Sequence, residues 1–135
     1  MHDNGDSTRR AHLAGEAAAA KLGTDVVLLD VSEILQIVDW FVIVGASNVR
    51  QVRTIADEVE VAMKSAEGAG PLRSEGLDDG RWALLDFGDV VVHVFLDEVR
   101  AFYNLERLWG DVPRIVLDDR GAPPVPRAES GRART

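Results

Sequence analysis

Short runs of apolar residues, without the polar alternation of a half-exposed sheet, limit this chain to few folds. Residues 25–30 read Asp-Val-Val-Leu-Leu-Asp, and residues 40–44 read Trp-Phe-Val-Ile-Val before Gly45. A strand with one wet face alternates apolar and polar side chains, whereas these runs are apolar on both faces. Helices that cover each side of a sheet provide such two-sided burial. The pattern therefore predicts an α/β fold.

Helical patterns lie between and around these runs. Residues 9–22 contain the alanine run 17–20 and end before Gly23, which predicts a first helix. Residues 98–109 precede Gly110 and predict a last helix. A central helix follows Ser47, a candidate N-cap, and presents one apolar stripe, formed by Val49, Val52, Ala56, Val59 and Met63.

The clearest supersecondary unit is a predicted hairpin of strands 82–86 and 90–95, joined by three residues, Phe87-Gly88-Asp89. Pairing of Asp86 with Val90 would fix the register. In that register Trp82 faces Val94 on one side of the sheet, and Ala83 faces His93 on the other side.

Length and composition predict one folded domain with disordered termini. The chain has 135 residues, of which 46% are hydrophobic, enough for one core. Residues 1–7 are polar, and residues 116–135 are rich in Arg, Pro and Gly without apolar periodicity. We expect a folded domain over residues 8–115 between a disordered N-terminus and a disordered tail.

Charge and cysteine content exclude several kinds of protein. There is no cysteine, and neither a signal-like start nor a membrane-length apolar run, so we expect a cytoplasmic protein without membrane contact.

Net charge is −8, but the part from Arg120 carries four arginines and one glutamate, which leaves −11 for residues 1–119. An acidic body is poorly suited to nucleic acid and suits a basic protein partner, although acidity can also serve solubility alone.

Catalytic motifs are weak. The Gly-Ala-Ser-Asn turn at 45–48 lies where a helix N-terminus could hold phosphate, but a glycine turn with a serine cap explains it better. Asp-Phe-Gly at 86–88 matches the magnesium-binding tripeptide of protein kinases, but the sequence has no kinase-type glycine-rich loop, strand lysine or catalytic-loop aspartate. A nucleotidyltransferase needs carboxylates that project together, as in Asp-x-Asp, and Asp86 stands alone on its strand. His93 is better explained as a hydrogen-bonded core histidine than as a metal ligand. These residues predict no enzyme, no metal and no cofactor.

The last predicted helix carries more large apolar side chains than one buried stripe requires. Phe102, Leu105 and Trp109 form one stripe, and Tyr103 and Glu106 lie on the neighbouring one. Apolar anchors inside a charged margin are typical of a protein interface, to which Trp82 could add. The alternative is that all of these aromatic residues belong to the core.

Taken together in order and spacing, these residues resemble the bacterial ribosomal silencing factors, also called the Iojap family. The resemblance spans roughly residues 8–115, and its most specific parts are Gly-Asp-Val-Val-Val-His-Val-Phe at 88–95 and Leu-Trp-Gly-Asp at 108–111. Further matching segments lie at 30–32, 39–43, 45–47, 75–76, 82, 85–86, 100, 102–103 and 105–106.

The resemblance implies a mixed β-sheet covered by helices, similar to a nucleotidyltransferase core without its catalytic carboxylates. It implies binding to the fourteenth protein of the large ribosomal subunit, a block to joining of the two subunits, and repression of translation during nutrient limitation. A homodimer of the free protein and a marginal contact of the tail with ribosomal RNA are further expectations. The partner-binding residues that the resemblance implies are Trp82, Asp86, Asp89, Tyr103, Glu106 and Trp109.

Two alternatives stay open on the sequence. One is a nucleotidyltransferase-like, nucleotide-binding enzyme that draws carboxylates from Asp86 and Asp89. The other is a scaffold that works only as a homodimer, with the surface around Trp109 as its self-complementary interface.

Overall fold

The apolar runs of the sequence form the centre of one mixed sheet. The computed structural model describes residues 4–104, 107 and 109–117, and these contain a six-stranded sheet in the order β3-β4-β5-β2-β1-β6. β2 and β5 pair in parallel, and the other neighbours are antiparallel. This confirms the predicted α/β class with a mixed sheet. The elements are α1 (Asn4–Ala20), β1 (Thr24–Asp30), α2 (Ser32–Leu35), β2 (Trp40–Ala46), α3 (Val49–Glu67), β3 (Arg73–Glu75), β4 (Trp82–Asp86), β5 (Val90–Leu96), α4 (Asp97–Tyr103) and β6 (Arg114–Val116).

One face of the sheet is covered by α1 and α3, which also pack on each other. The apolar stripe of α3 is buried from Val52 to Met63, as its spacing predicts. The predicted cap is wrong by one residue, because Asn48 accepts the hydrogen bond from the Gln51 backbone N–H at 2.8 Å. Ser47 instead donates to the Gln51 side chain. Gly45 lies inside β2 and does not form the expected turn.

The first helix begins earlier than the sequence predicts. α1 starts at Asn4 and not at Arg9, so residues 4–7 of the segment expected to be disordered form its first turn. Ser7 is 1% exposed there, and Arg9 forms an ion pair with Glu67 of α3 at 2.8 Å. These contacts between α1 and the rest of the fold give the early turn partners that local propensity does not reveal. None of the described helices is long and apolar enough to cross a membrane.

The hairpin register differs from the predicted one by a residue. The Phe87 N–H donates to the Val90 carbonyl at 2.9 Å, which leaves a two-residue turn with Gly88 at φ +94°. Asp86 therefore pairs with Val91. Phe87 stays in the ladder because its side chain is buried, 6% exposed, on the face that α1 and α3 cover.

This one-residue difference moves His93 to the other face of the sheet. His93 lies opposite Leu84, and Trp82 lies opposite Phe95. The predicted pairs of His93 with Ala83 and of Trp82 with Val94 are therefore wrong. Since a slip of one residue exchanges the two faces, His93 and Trp82 share the face away from α1 and α3.

The last helix is shorter than predicted. α4 ends at Tyr103 because Asn104 takes the left-handed conformation, with φ 50° and ψ 59°, and caps the helix. The predicted stripe that joined Phe102 to Trp109 across one continuous helix is therefore wrong. The chain still returns over the second face of the sheet, since Trp109 contacts Phe41 of β2.

Candidate protein-binding surface

Aromatic side chains collect on the face of the sheet that α1 and α3 leave uncovered. Alternation along three neighbouring strands places ring-bearing residues of β2, β4 and β5 on this face, and the segment from α4 onward adds three more. We call this surface the aromatic face; it consists of Phe41, Trp82, His93, Phe95, Phe102, Tyr103 and Trp109.

The rings of the aromatic face form one continuous chain of contacts. Trp82 lies at its centre, with ring centroids 4.7 Å from Phe95 and 5.0 Å from Tyr103. Tyr103 in turn meets Phe102 edge-on at 5.0 Å. At the other end, Phe41 contacts Trp109 at 5.6 Å. Such offset and edge-to-face pairs stabilise one another beyond simple burial, so the rings are held in fixed relative positions.

Exposure divides the aromatic face into a buried floor and an accessible outer part. Phe95 is fully buried, whereas Trp82 is half-buried, Tyr103 is 53% exposed and Phe102 is 81% exposed. Tyr, Trp and Phe are enriched where proteins bind each other, and an isolated chain gains nothing by exposing large rings side by side. The outer rings are therefore candidate binding anchors above the buried Phe95.

Trp82 is hydrogen-bonded to the buried side chain of His93. Its indole N–H donates a hydrogen bond to Nδ1 of His93 at 3.1 Å. Because Nδ1 accepts, the neutral imidazole carries its proton on Nε2. Burial lowers the pKa of His93 to about 4, so the ring is uncharged at neutral pH. This confirms the prediction of a hydrogen-bonded core histidine.

Acidic side chains lie along the β3–β4 edge of the aromatic face. Asp86 is half-buried on the same face of β4 as Trp82, and its Oδ1 accepts from the Gly88 N–H at 2.9 Å. Glu75 is exposed on β3, opposite Leu84. Arg73 reaches both acids, at 2.9 Å from Glu75 and 3.4 Å from Asp86. The edge thus carries two carboxylates and one arginine, in the manner of a charged interface rim.

The structure brings together four of the six residues that the sequence assigns to partner binding. Trp82, Tyr103 and Trp109 belong to the aromatic face, and Asp86 lies at its acidic edge. Asp89 lies in the hairpin turn, where its carboxylate pairs with the Arg10 guanidinium of α1. Glu106 lies outside the described residues.

Sequence reasoning missed two residues of the surface. Phe102 was placed on one stripe with Trp109 but was not included among the partner-binding residues, although it is the most exposed of the rings. Glu75 had no local signal, since it lies in a three-residue strand whose side chains are all exposed. For Phe102, the helix-stopping Asn104 was the signal that could have separated it from Trp109.

The carboxylates of Asp86 and Asp89 are engaged by different parts of the fold. Asp86 bonds to Gly88 and Arg73, while Asp89 is engaged by α1, so the two do not converge on one position. Across the described residues, there is no group of three or more His, Cys, Asp or Glu side chains that could hold a metal ion.

Comparison with protein families decides the relationship of this chain to known proteins. The model of the family described as ribosomal silencing factor during starvation matches residues 4–135. The chain belongs to the ribosomal silencing factor family. The resemblance seen in the sequence is thereby confirmed, as is a ribosome-silencing role that represses translation, at the level that the family name states. This is a family of regulators.

Individual members of the ribosomal silencing factor family show the same relationship. The chain is 41% identical to ribosomal silencing factor RsfS of Bacillus subtilis over 106 residues, which is 78% of this chain and 89% of the relative. It is 35% identical to the chloroplastic protein Iojap of Zea mays over 76% of this chain and 44% of that protein. A crystal structure of a protein from Chromobacterium violaceum aligns with TM-score 0.73 and 36% identity, covering 84% of this chain and 95% of the other.

Proposed function

We propose that this protein docks its aromatic face on the fourteenth protein of the large ribosomal subunit and thereby prevents the small subunit from joining. Translation would be repressed in this way during nutrient limitation, in the cytoplasm. The observation that carries the proposal is the row of exposed rings around Trp82, Tyr103 and Phe102 in a chain of the ribosomal silencing factor family.

Charge complementarity supports a ribosomal protein as the occupant of this surface. The chain carries a net charge of −8, and residues 1–119 account for −11. A basic ribosomal protein is attracted to such a body at a distance, which raises the association rate more than the final affinity. Glu75 and Asp86 then supply acidic groups next to the rings for contact with Lys or Arg.

A steric mechanism requires only an interface of ordinary size. If about 800 Å² is buried on each partner, nanomolar affinity is common and needs no nucleotide hydrolysis. The bound domain would occupy a volume that the small subunit enters on joining. Turnover plays no part in this mechanism.

Calorimetric titration of the purified fourteenth large-subunit protein tests the proposal. Trp82→Ala and Tyr103→Ala should each weaken binding by about 2 kcal/mol or more, as truncated hot spots do. Val61→Ala is the matched control, because Val61 is 62% exposed on α3, on the opposite side of the sheet. Binding of both aromatic variants at wild-type strength would exclude the aromatic face as the docking surface.

Joining of purified subunits, followed on sucrose gradients, tests the steric step. The wild-type protein in excess should keep the subunits apart, and the Trp82→Ala variant should release them at the same concentration. Normal subunit joining with the wild-type protein bound would contradict the steric mechanism while leaving the docking intact.

We further propose that the free protein pairs through the same surface, so that the homodimer and the ribosome compete for it. A self-complementary contact of the aromatic face would cover Phe102 and Tyr103 in the absence of ribosomes. Light scattering over a range of concentrations measures this pairing. A wild-type monomer at every concentration would rule it out.

A contact of the arginine-bearing tail with ribosomal RNA is an additional proposal, tested by deleting residues 118–135 and measuring the salt dependence of binding to large subunits.

A further inference from the structure

The hydrogen bond between Trp82 and His93 joins an accessible ring to a buried polar one. Trp82 is half-buried on the aromatic face, whereas His93 is 5% exposed beneath it. The indole N–H is 3.1 Å from Nδ1 of His93, so the donor of the outer ring points into the protein and not toward solvent.

The burial of His93 costs free energy, because its imidazole is polar and its surroundings are largely apolar. Its second nitrogen, Nε2, is buried and has no hydrogen-bond partner among the described residues. Rings of Phe41 and Phe95 flank the imidazole, at 4.9 Å and 6.1 Å between centroids. An apolar side chain would fill this site without an unsatisfied buried nitrogen of its own. What only a polar side chain supplies here is an acceptor for Trp82.

We propose that His93 is a positioning residue, which fixes the orientation of the Trp82 ring so that the aromatic face is ready to dock before its partner arrives. This inference rests on the proposed docking function and adds to it a residue that the partner does not touch.

Fixing Trp82 matters because the other outer rings are arranged around it. Tyr103 packs against the Trp82 ring at 5.0 Å, and Phe102 packs against Tyr103. A Trp82 ring that rotated freely would deprive Tyr103 of this contact, and the partner would then have to order several side chains on binding. Preorganised anchors avoid that loss of entropy and therefore bind more tightly.

Two substitutions separate the acceptor from the shape of the His93 ring. His93→Asn retains an oxygen near the position of Nδ1, whereas His93→Phe keeps a flat ring and removes the acceptor. His12→Phe, at a half-buried position on α1, is the control for a histidine lost on the far side of the sheet. Trp82→Phe removes the donor and identifies the indole resonance of Trp82 in ¹⁵N spectra.

The experiment measures hydrogen exchange of the Trp82 indole N–H in the free protein and the affinity of each variant for the fourteenth large-subunit protein. His93→Phe should speed exchange and lower affinity, each by about tenfold, and His93→Asn should restore both most of the way. In the Trp82→Phe background, His93→Phe should change affinity no further, because the bond it removes is already absent.

Two results would overturn the inference. One is exchange of the wild-type Trp82 indole N–H as fast as in free tryptophan, a measurement that needs no variant to fold. The other is wild-type affinity in His93→Phe. If the wild-type protein itself fails to bind, the proposed function is refuted, and the exchange rates alone decide whether His93 fixes the ring.

Discussion

Truncation of Phe102 to alanine separates binding from folding more cleanly than any other change on the aromatic face. The Phe102 side chain is 81% exposed, and its described ring contact is the edge-on one with Tyr103. Loss of that contact should lower the free energy of unfolding by less than about 1 kcal/mol, because exposed aromatic pairs contribute little more. The fold should therefore survive the substitution.

The effect of Phe102→Ala on binding should be larger. A phenylalanine side chain presents roughly 200 Å² for burial, so about 160 Å² of it is open to a partner, worth up to about 4 kcal/mol at 25 cal/mol per Å². Since alanine retains part of that area and real interfaces are imperfect, we expect a loss of about 2–3 kcal/mol, or roughly 30- to 150-fold in Kd.

Calorimetry with the fourteenth large-subunit protein measures this loss, and urea unfolding measures stability in parallel. Val61→Ala, which removes an exposed apolar side chain from α3, should leave Kd unchanged. An unchanged Kd for Phe102→Ala would mean that the partner does not cover the end of α4. Equal weakening by Val61→Ala would refute the assignment of binding to one face.

Three further substitutions or conditions test the framework that holds the surface. Folding lowers the pKa of His93 from 6.5 to about 4. Between these values the unfolded chain binds a proton at His93 and the folded chain does not, so the free energy of unfolding should drop by about 2 kcal/mol from pH 7.5 to 5. In urea titrations this drop should shrink in His93→Asn, and an equal drop would contradict the cause. Asp89→Asn, which breaks the half-buried ion pair with Arg10, should lower the free energy of unfolding by about 2 kcal/mol and leave the affinity for the partner unchanged. Weaker binding with unchanged stability would instead show that Asp89 contacts the partner. Gly76→Ala should destabilise the protein by at least about 2 kcal/mol, since its Cβ would lie 1.9 Å from the Trp82 carbonyl oxygen at φ +81°; a wild-type melting temperature would contradict that packing.

The strands and the central helix could be predicted because their signals are local. The apolar runs of β1, β2 and β5 and the stripe from Val52 to Met63 are each visible within a few residues. β3 and β6 were not predicted, because each is a three-residue edge strand without buried side chains. Such strands exist through pairing with β4 and β1, which a local pattern does not encode.

The candidate site depended on non-local facts that the sequence left open. Which face His93 occupies was decided by Phe87, whose burial keeps it in the ladder and shortens the turn by one residue. Which rings are exposed was decided by Asn104, whose left-handed conformation ends α4 after Tyr103. The residue types of the site were thus readable, whereas the contact between Trp82 and His93 required the true register.

Hydroxyl-radical footprinting of the protein, free and with excess large ribosomal subunits, tests most directly which surface docks. Oxidation of Phe102, Tyr103 and Trp82 should fall on binding, while oxidation of Val61 and Leu22, exposed on α3 and after α1, should stay as in the free protein. Protection of Val61 and Leu22, with the three aromatic side chains oxidised as before, would contradict docking through the aromatic face.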